Sequence, residues 1–292
     1  KGGIFQGNSQ PVVLGDFTDG LRNSMRSIDI SGNYLYGVTY NDDPTEAVFV
    51  IYDITNPSSP QRIIDSIIIL PGVTGGPGKG IEVQGNYAYS IMEVQDNKPL
   101  IIIDISDVRN PKVVGGKDLF IPHYGYGDAL DVYGNYVYLA FSDGNLAIVD
   151  ISVPSNPILV SIIQTDIEKL WSVKVSGNYV YVGGRPGVGS IPDLKIIDVS
   201  DKENPVVVGQ YDLYDEEEWG VWGMDLIGHY LYIVGGGLFT SDPPGDPKDK
   251  LFILDVSEPN DPILLSSSHI TSGVLNYVKV YGKYAYITSW DD

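Results

Sequence analysis

A five-residue pattern recurs six times in this chain, and it constrains the fold more than any other feature. It runs glycine, usually asparagine, then Tyr-x-Tyr. The copies are Gly32-Asn33-Tyr34-Leu35-Tyr36, Gly85-Asn86-Tyr87-Ala88-Tyr89, Gly134-Asn135-Tyr136-Val137-Tyr138, Gly177-Asn178-Tyr179-Val180-Tyr181, Gly228-His229-Tyr230-Leu231-Tyr232 and Gly282-Lys283-Tyr284-Ala285-Tyr286. The glycines are spaced by 53, 49, 43, 51 and 54 residues. A unit repeated at that period cannot bury its apolar face alone and must stack on its neighbours.

A second motif interleaves with the first: YDITNPSSP from Tyr52, IDISDVRNP from Ile103, VDISVPSNP from Val149, IDVSDKENP from Ile197 and LDVSEPNDP from Leu254. Between the motifs the apolar residues alternate with period two. Ser27 to Ile30 reads as a first strand, Tyr34-Leu35-Tyr36 begins a second after a Gly-Asn turn, Ala47 to Ile54 is a third and Arg62 to Leu70 a fourth. No stretch carries helical periodicity. Four antiparallel strands per unit is the pattern of a propeller blade. The expected fold is all-β, a six-bladed β-propeller of four-stranded antiparallel blades in one domain spanning 1–292. The blades cover about 24–70, 78–120, 126–165, 169–213, 220–270, and 274–292 together with 1–17.

The third strands read LAIVD at Leu146 to Asp150, LKIIDV at Leu194 to Val199 and LFILDV at Leu251 to Val256. In these the chain resembles the LVIVD-repeat family over nearly its whole length. The resemblance implies a β-propeller, a place on a bacterial or archaeal surface or outside the cell, and no particular chemistry.

The last repeat, Val274 to Asp292, supplies only two strands. The N-terminus holds candidates for the others. Gly3-Ile4-Phe5 reads as a short third strand, and Pro11-Val12-Val13-Leu14-Gly15 matches Pro205-Val206-Val207-Val208-Gly209. Sharing the sixth blade between the termini removes two open sheet edges. The other reading is that the chain is cut from a longer protein, since it begins at Lys1 rather than Met. Three residues before each turn glycine stand Asp29, Glu82, Asp131, Lys174, Asp225 and Lys279, an expected ring around the channel. Five residues before it the side chain is small, as Ser27, Gly80, Ala129, Ser172 and Gly223, with Tyr277 the exception.

Composition narrows the partners. Among 292 residues, 38 are acidic and 18 basic, for a net charge of −20, which opposes nucleic acid and anionic membrane. No cysteine is present, so thiol chemistry and disulfides are excluded. No apolar run approaches the length of a membrane span.

The Gly-Asn and Asn-Pro turns are nearly the same in every unit, and that makes them scaffold. Asp53, Asp104, Asp150, Asp198 and Asp255 are therefore read as turn residues. The connections that differ lie at the opposite end of each blade: 41–46, 183–192 and 235–250 between second and third strands, and 71–78, 121–127 and 213–220 between blades. Gly183-Gly184-Arg185-Pro186-Gly187 and Gly235-Gly236-Gly237 read there as flexible loops. Six residues before each glycine stand Arg26, Lys79, Asp128, Trp171, Trp222 and Asn276. Two indoles with charged and amide groups suit stacking on a sugar or peptide, while packing between blades explains the tryptophans equally. His123 is the one histidine on this face; His229 lies in a repeated turn and His269 ends a fourth strand.

Asp215-Glu216-Glu217-Glu218 is the candidate Ca²⁺ site, although no D-x-D-x-D-G loop accompanies it and a solvated acidic turn is the simpler reading. No other cofactor is implied. The expectation is a non-enzymatic binding or structural protein, extracellular or at the cell surface. One face would meet a protein or glycan partner, or further copies of the chain. The alternative is a carbohydrate-active hydrolase or lyase at the channel mouth, with Asp128 paired to Glu82 or Asp131. A cation held by the channel ring is a third reading.

Overall fold

The computed structural model describes residues 27–40, 47–63, 68–69, 77–92, 99–116, 118–122, 127–187, 192–213, 219–237, 249–270 and 274–290. These form strands and no helix. The first sheet runs β1 (Ser27–Ser31), β2 (Tyr34–Tyr40), β3 (Ala47–Asp53), β4 (Gln61–Arg62), with β5 (Ile68–Ile69) also on β3. The second runs β6 (Pro77–Gln84), β7 (Tyr87–Met92), β8 (Leu100–Asp104), β9 (Lys112–Gly115). The third is β10 (Gly127–Tyr133), β11 (Tyr136–Phe141), β12 (Asn145–Asp150), β13 (Ile158–Gln164), and the fourth β14 (Lys169–Ser176), β15 (Tyr179–Arg185), β16 (Leu194–Asp198), β17 (Val206–Tyr211). The fifth is β18 (Trp219–Ile227), β19 (Tyr230–Gly237), β20 (Lys250–Asp255), β21 (Ile263–His269). In the sixth, β22 (Val274–Tyr281) pairs with β23 (Tyr284–Trp290). All pairings are antiparallel, and apart from β5 on β3 they join strands adjacent in sequence. Residues 1–17, assigned above to the sixth blade, lie outside the described residues.

The repeated motifs form the two turns of each sheet. The six motif glycines all have φ near +60°, the left-handed region that a two-residue hairpin needs. In the second motif the aspartate accepts the N–H of the residue two ahead: Thr55 to Asp53 at 2.8 Å, Ser106 to Asp104 at 2.9 Å, Ser152 to Asp150 at 2.7 Å, Ser200 to Asp198 at 2.7 Å and Ser257 to Asp255 at 2.9 Å. These are Asx turns, as the repetition implied. The bonds hold Asp53, Asp104, Asp198 and Asp255 below the ordinary carboxylate range. At Asp53 and Asp104 the hydroxyls of Thr55 and Ser106 contribute most; at Asp198 and Asp255 the N–H groups of Ser200 and Ser257 do.

By internal contacts the described residues divide into an N-terminal unit, 27–141 and 147–160, and a C-terminal unit, 142–146 and 161–290. Within the N-terminal unit, Tyr36, Val38, Phe49 and Ile51 of the first sheet pack on Ile81, Ala88, Ile101 and Ile103 of the second. Within the C-terminal unit, Tyr181, Leu194 and Ile196 pack on Met224, Leu231 and Ile233, and Val234 packs with Val278 and Ile287. The second tyrosines Tyr36 and Tyr181 thus leave one sheet and enter the core it shares with the next. Desolvation pushes the Tyr89 and Tyr181 hydroxyls up to about 12 and raises Tyr36 and Tyr138 as well.

Polar bonds tie the first strands of successive sheets together. The N–H of Val83 on β6 donates to Asp29 Oδ2 of β1 at 2.7 Å, and that of Ile81 to Ser27 Oγ at 3.2 Å. Asp29 Oδ1 meanwhile accepts the N–H of Ile30 on its own strand at 2.8 Å. The C-terminal unit repeats the arrangement. The N–H of Val280 on β22 donates to Asp225 Oδ2 of β18 at 2.7 Å, and Lys279 Nζ lies 3.3 Å from Asp225 Oδ1. The small residues two positions earlier on these strands serve the same approach. A Cβ added at Gly80 would meet Leu130 N at 3.0 Å, and one at Gly223 would meet Asn276 O at 2.9 Å.

Asp225 is buried, so Asp225→Ala leaves the Val280 N–H without its acceptor; we expect a loss of about 1–3 kcal/mol in denaturant unfolding. Lys279→Ala removes only an exposed ion-pair partner and should cost less than about 1 kcal/mol. Equal losses would assign the effect to the ion pair.

The four depressed aspartates contribute stability that is fully present above their unfolded pKa, about 4. It is lost as pH falls through their folded values. The denaturant midpoint should therefore drop below about pH 4, and Asp104→Asn together with Asp198→Asn should flatten the drop.

The raised tyrosines act at the other end of the scale. Their neutral form is favoured in the fold, so their stability is complete below about pH 10 and is lost as pH rises through the folded values. Tyrosinate absorbance in the native protein should show Tyr36, Tyr89, Tyr138 and Tyr181 ionising later than the exposed tyrosines, with unfolding abolishing the difference.

Candidate functional site

The six-before-glycine position has a structural character that its sequence did not show. In β10, β14, β18 and β22 the register with the following strand shifts between the residues on either side of Asp128, Trp171, Trp222 and Asn276. Each of these residues is the extra one of a β-bulge, and in β6 the shift spans Pro77 to Ile81, which includes Lys79. A bulge re-aims one side chain without disturbing the ladder on either side. Strict period-two counting assigns these residues to the wrong face.

The C-terminal unit brings three of them onto neighbouring first strands. Trp171 and Trp222 stack with ring centroids 4.3 Å apart and an interplanar angle of 12°. Trp222 is 8% exposed and serves as the floor of the stack, while Trp171 on top of it is half-buried. Asn276 is also half-buried, and its carbonyl lies against Gly223, next to Trp222. The two indoles differ in setting: Trp222 is buried in the stack, and Trp171 keeps part of its aromatic surface open.

Charges flank this end of the fourth sheet, where β14 and β15 open away from the Gly177 turn. Arg185, paired in register with Lys169, lies 3.9 Å from Glu168. Lys195 on β16 is buried, and its ammonium reaches exposed Asp166 at 3.5 Å. Asp166 has φ 65°, the one positive value at a described non-glycine residue. None of these four was singled out by sequence. The signal available was slight, a carboxylate-bearing connection of four residues between β13 and β14.

Two glycine runs expected as flexible loops are instead strand. β15 extends through Arg185 and β19 through Gly237. The reason is close packing. A Cβ on Gly184 would lie 1.8 Å from Lys169 O, one on Gly183 2.6 Å from Val221 Cγ1, and one on Gly236 1.9 Å from Asp249 Oδ1.

Of the expected channel ring, Asp29 and Asp225 are engaged with backbone N–H groups of the next sheet, and Asp131 accepts the N–H of Val132 at 3.1 Å. Lys174 is buried on β14, Glu82 is half-buried on β6 and Lys279 is exposed on β22. Lys79 and Asp128 are placed by backbone only. Arg26, His123 and Asp215 to Glu218 lie outside the described residues. His229 is exposed in its turn against Tyr230, with centroids 4.2 Å apart, and His269 is exposed at the end of β21. Among the described residues no three histidine or carboxylate groups converge as metal ligands, and no helix is long and apolar enough to cross a membrane.

Comparison with solved structures places the fold among propellers. A putative 6-phosphogluconolactonase from Bacteroides uniformis aligns at a TM-score of 0.68 and 12% identity, over 90% of this chain and 77% of that one. The β-propeller domain of Myceliophteria thermophila Cps50 (Swd1) aligns at 0.58 and 12%, over 87% and 76%. Kuenenia stuttgartiensis hydrazine synthase aligns at 0.61 and 15%, over 98% and 77%. At such identities the likeness concerns fold alone. No curated protein matches the sequence. The LVIVD repeat model matches residues 24–64, 75–117, 124–165, 169–213, 245–269 and 272–292. With the repeat found six times and spread over most of its length, the chain belongs to the LVIVD-repeat family.

Proposed function

We propose that the six sheets are the blades of one propeller whose sixth blade takes strands from both ends of the chain. We further propose that it is a non-enzymatic recognition protein acting outside the cell or at its surface. The observation that carries this reading is the Trp171–Trp222 stack. Two indoles on adjacent bulges, 4.3 Å apart, make a preorganised platform whose upper ring is half open to solvent. Asn276 and the Arg185–Glu168 pair supply hydrogen-bonding groups at the same end of the C-terminal unit. An aromatic face beside amide and charged groups suits a sugar ring or an extended peptide. The net charge of −20 favours neutral glycans and basic peptides over anionic partners.

The recurring carboxylates support binding over catalysis. Asp29 and Asp225 are committed to backbone N–H groups, and Asp53, Asp104, Asp150, Asp198 and Asp255 to their own turns.

Screening neutral oligosaccharides and basic peptides by tryptophan fluorescence tests the reading. A binder should quench the emission, and Trp171→Ala should weaken it by roughly three- to tenfold, the worth of one aromatic stacking contact. Undiminished affinity in Trp171→Ala, or turnover of a bound sugar by the wild-type protein, would overturn the proposal.

A further inference from the structure

Arg185 ends β15 at the rim of the indole stack. It pairs in register with Lys169, two residues before Trp171. A Cβ on Gly220, two residues before Trp222, would lie 3.1 Å from Arg185 Cα. The residue thus stands against both strands that carry the stacked indoles. Its backbone is constrained as well, because buried Pro186 follows it and favours the extended conformation. The equivalent position in the fifth sheet, opposite Gly220, is Gly236, so the repeat does not supply this cation.

The protein uses the guanidinium only in part. Its Nη1 lies 3.9 Å from Glu168 Oε1, longer than a hydrogen bond. Its Nε is buried and meets no acceptor among the described residues. Buried N–H groups are ordinarily satisfied, and one that the protein does not satisfy is suited to an acceptor brought by a ligand. The Nε–Nη2 edge, which excludes Nη1, offers two parallel N–H groups in one plane. The Arg185 side chain is 31% exposed and that of Glu168 41%, so the pair is open to approach.

We infer that Arg185 determines specificity at the Trp171 platform and that the ligand is a neutral sugar presenting two adjacent oxygens. This rests on the platform reading of Trp171 given above. The C–H face of the sugar lies on Trp171, its adjacent oxygens accept from Nε and Nη2, and Glu168 accepts a hydroxyl proton. Charge decides between the ligand classes. A basic peptide would set its cations beside a guanidinium. A uronate would match the fork locally but would approach a chain of net charge −20. Neutral hydroxyls meet neither repulsion, and each both donates and accepts.

The test titrates the full chain with cellohexaose, mannohexaose, hexagalacturonate and hexalysine, reading tryptophan emission. A neutral hexasaccharide should bind, and Arg185→Met should weaken it at least about tenfold, the worth of a hydrogen bond to a charged group. Arg185→Lys keeps the charge without the fork and should lose at least about fivefold. Undiminished affinity in either variant, folded by circular dichroism, overturns the inference. If Trp171→Ala still weakens the same sugar, the platform reading stands without it. Quenching by hexalysine alone, tighter binding of hexagalacturonate, or no quenching by any of the four would equally overturn the neutral-sugar assignment. A readout without substitution is the Arg185 Nε–H resonance in the wild-type protein. It should shift when the bound hexasaccharide is added, and an unmoved resonance would overturn the inference as well.

Discussion

Each sheet begins at a strand whose outer N–H groups no further strand pairs. On β6 and β22, side chains from the preceding sheet take such groups. Asp29 binds the N–H of Val83 and, through its other oxygen, the N–H of Ile30 on its own strand. Asp225 accepts the N–H of Val280 through one oxygen and meets the Lys279 ammonium through the other. A buried, unpaired backbone N–H costs about as much as a lost hydrogen bond, so these carboxylates let first strands pack side by side without a ladder between them. The glycine at position 80 or 223 and the serine at position 27 follow from the same closeness. The tyrosine stripe then fills the space that the approach leaves between sheets.

Those contacts also change how the acidic composition is understood. The recurring carboxylates are partners of backbone: Asp29, Asp131 and Asp225 on first strands, and the five aspartates of the second motif in their own turns. A carboxylate that accepts two N–H groups is oriented by them and has little left to offer a substrate. In the function proposed above, recognition would fall instead to positions where residue identity varies between repeats, and the bulged positions vary in this way. Trp222 shows the limit of that rule, because one bulged residue can be re-aimed into a neighbour rather than into solvent.

Much of the fold was legible. The turn glycines, the Asx aspartates and the four-stranded order all follow from local rules: φ > 0 for glycine, side-chain bonds to nearby N–H groups, and period-two alternation. The glycine runs at 183–184 and 235–237 misled the reading, since composition registers flexibility but not the carbonyl of Lys169 or the carboxylate of Asp249 lying against the backbone. The Asp166–Lys195 and Arg185–Glu168 pairs were invisible, being brought together by strand register across 29 and 17 positions of sequence.

The sequence by itself determined the repeating unit, its strands and its turns. Each of these depends on neighbours within a few positions or on a two-residue period. Only the tertiary structure decided what the first-strand carboxylates bind, where the bulges fall and that Trp171 lies on Trp222. Those outcomes depend on how closely one sheet approaches the next, a distance set by packing around residues about fifty positions apart.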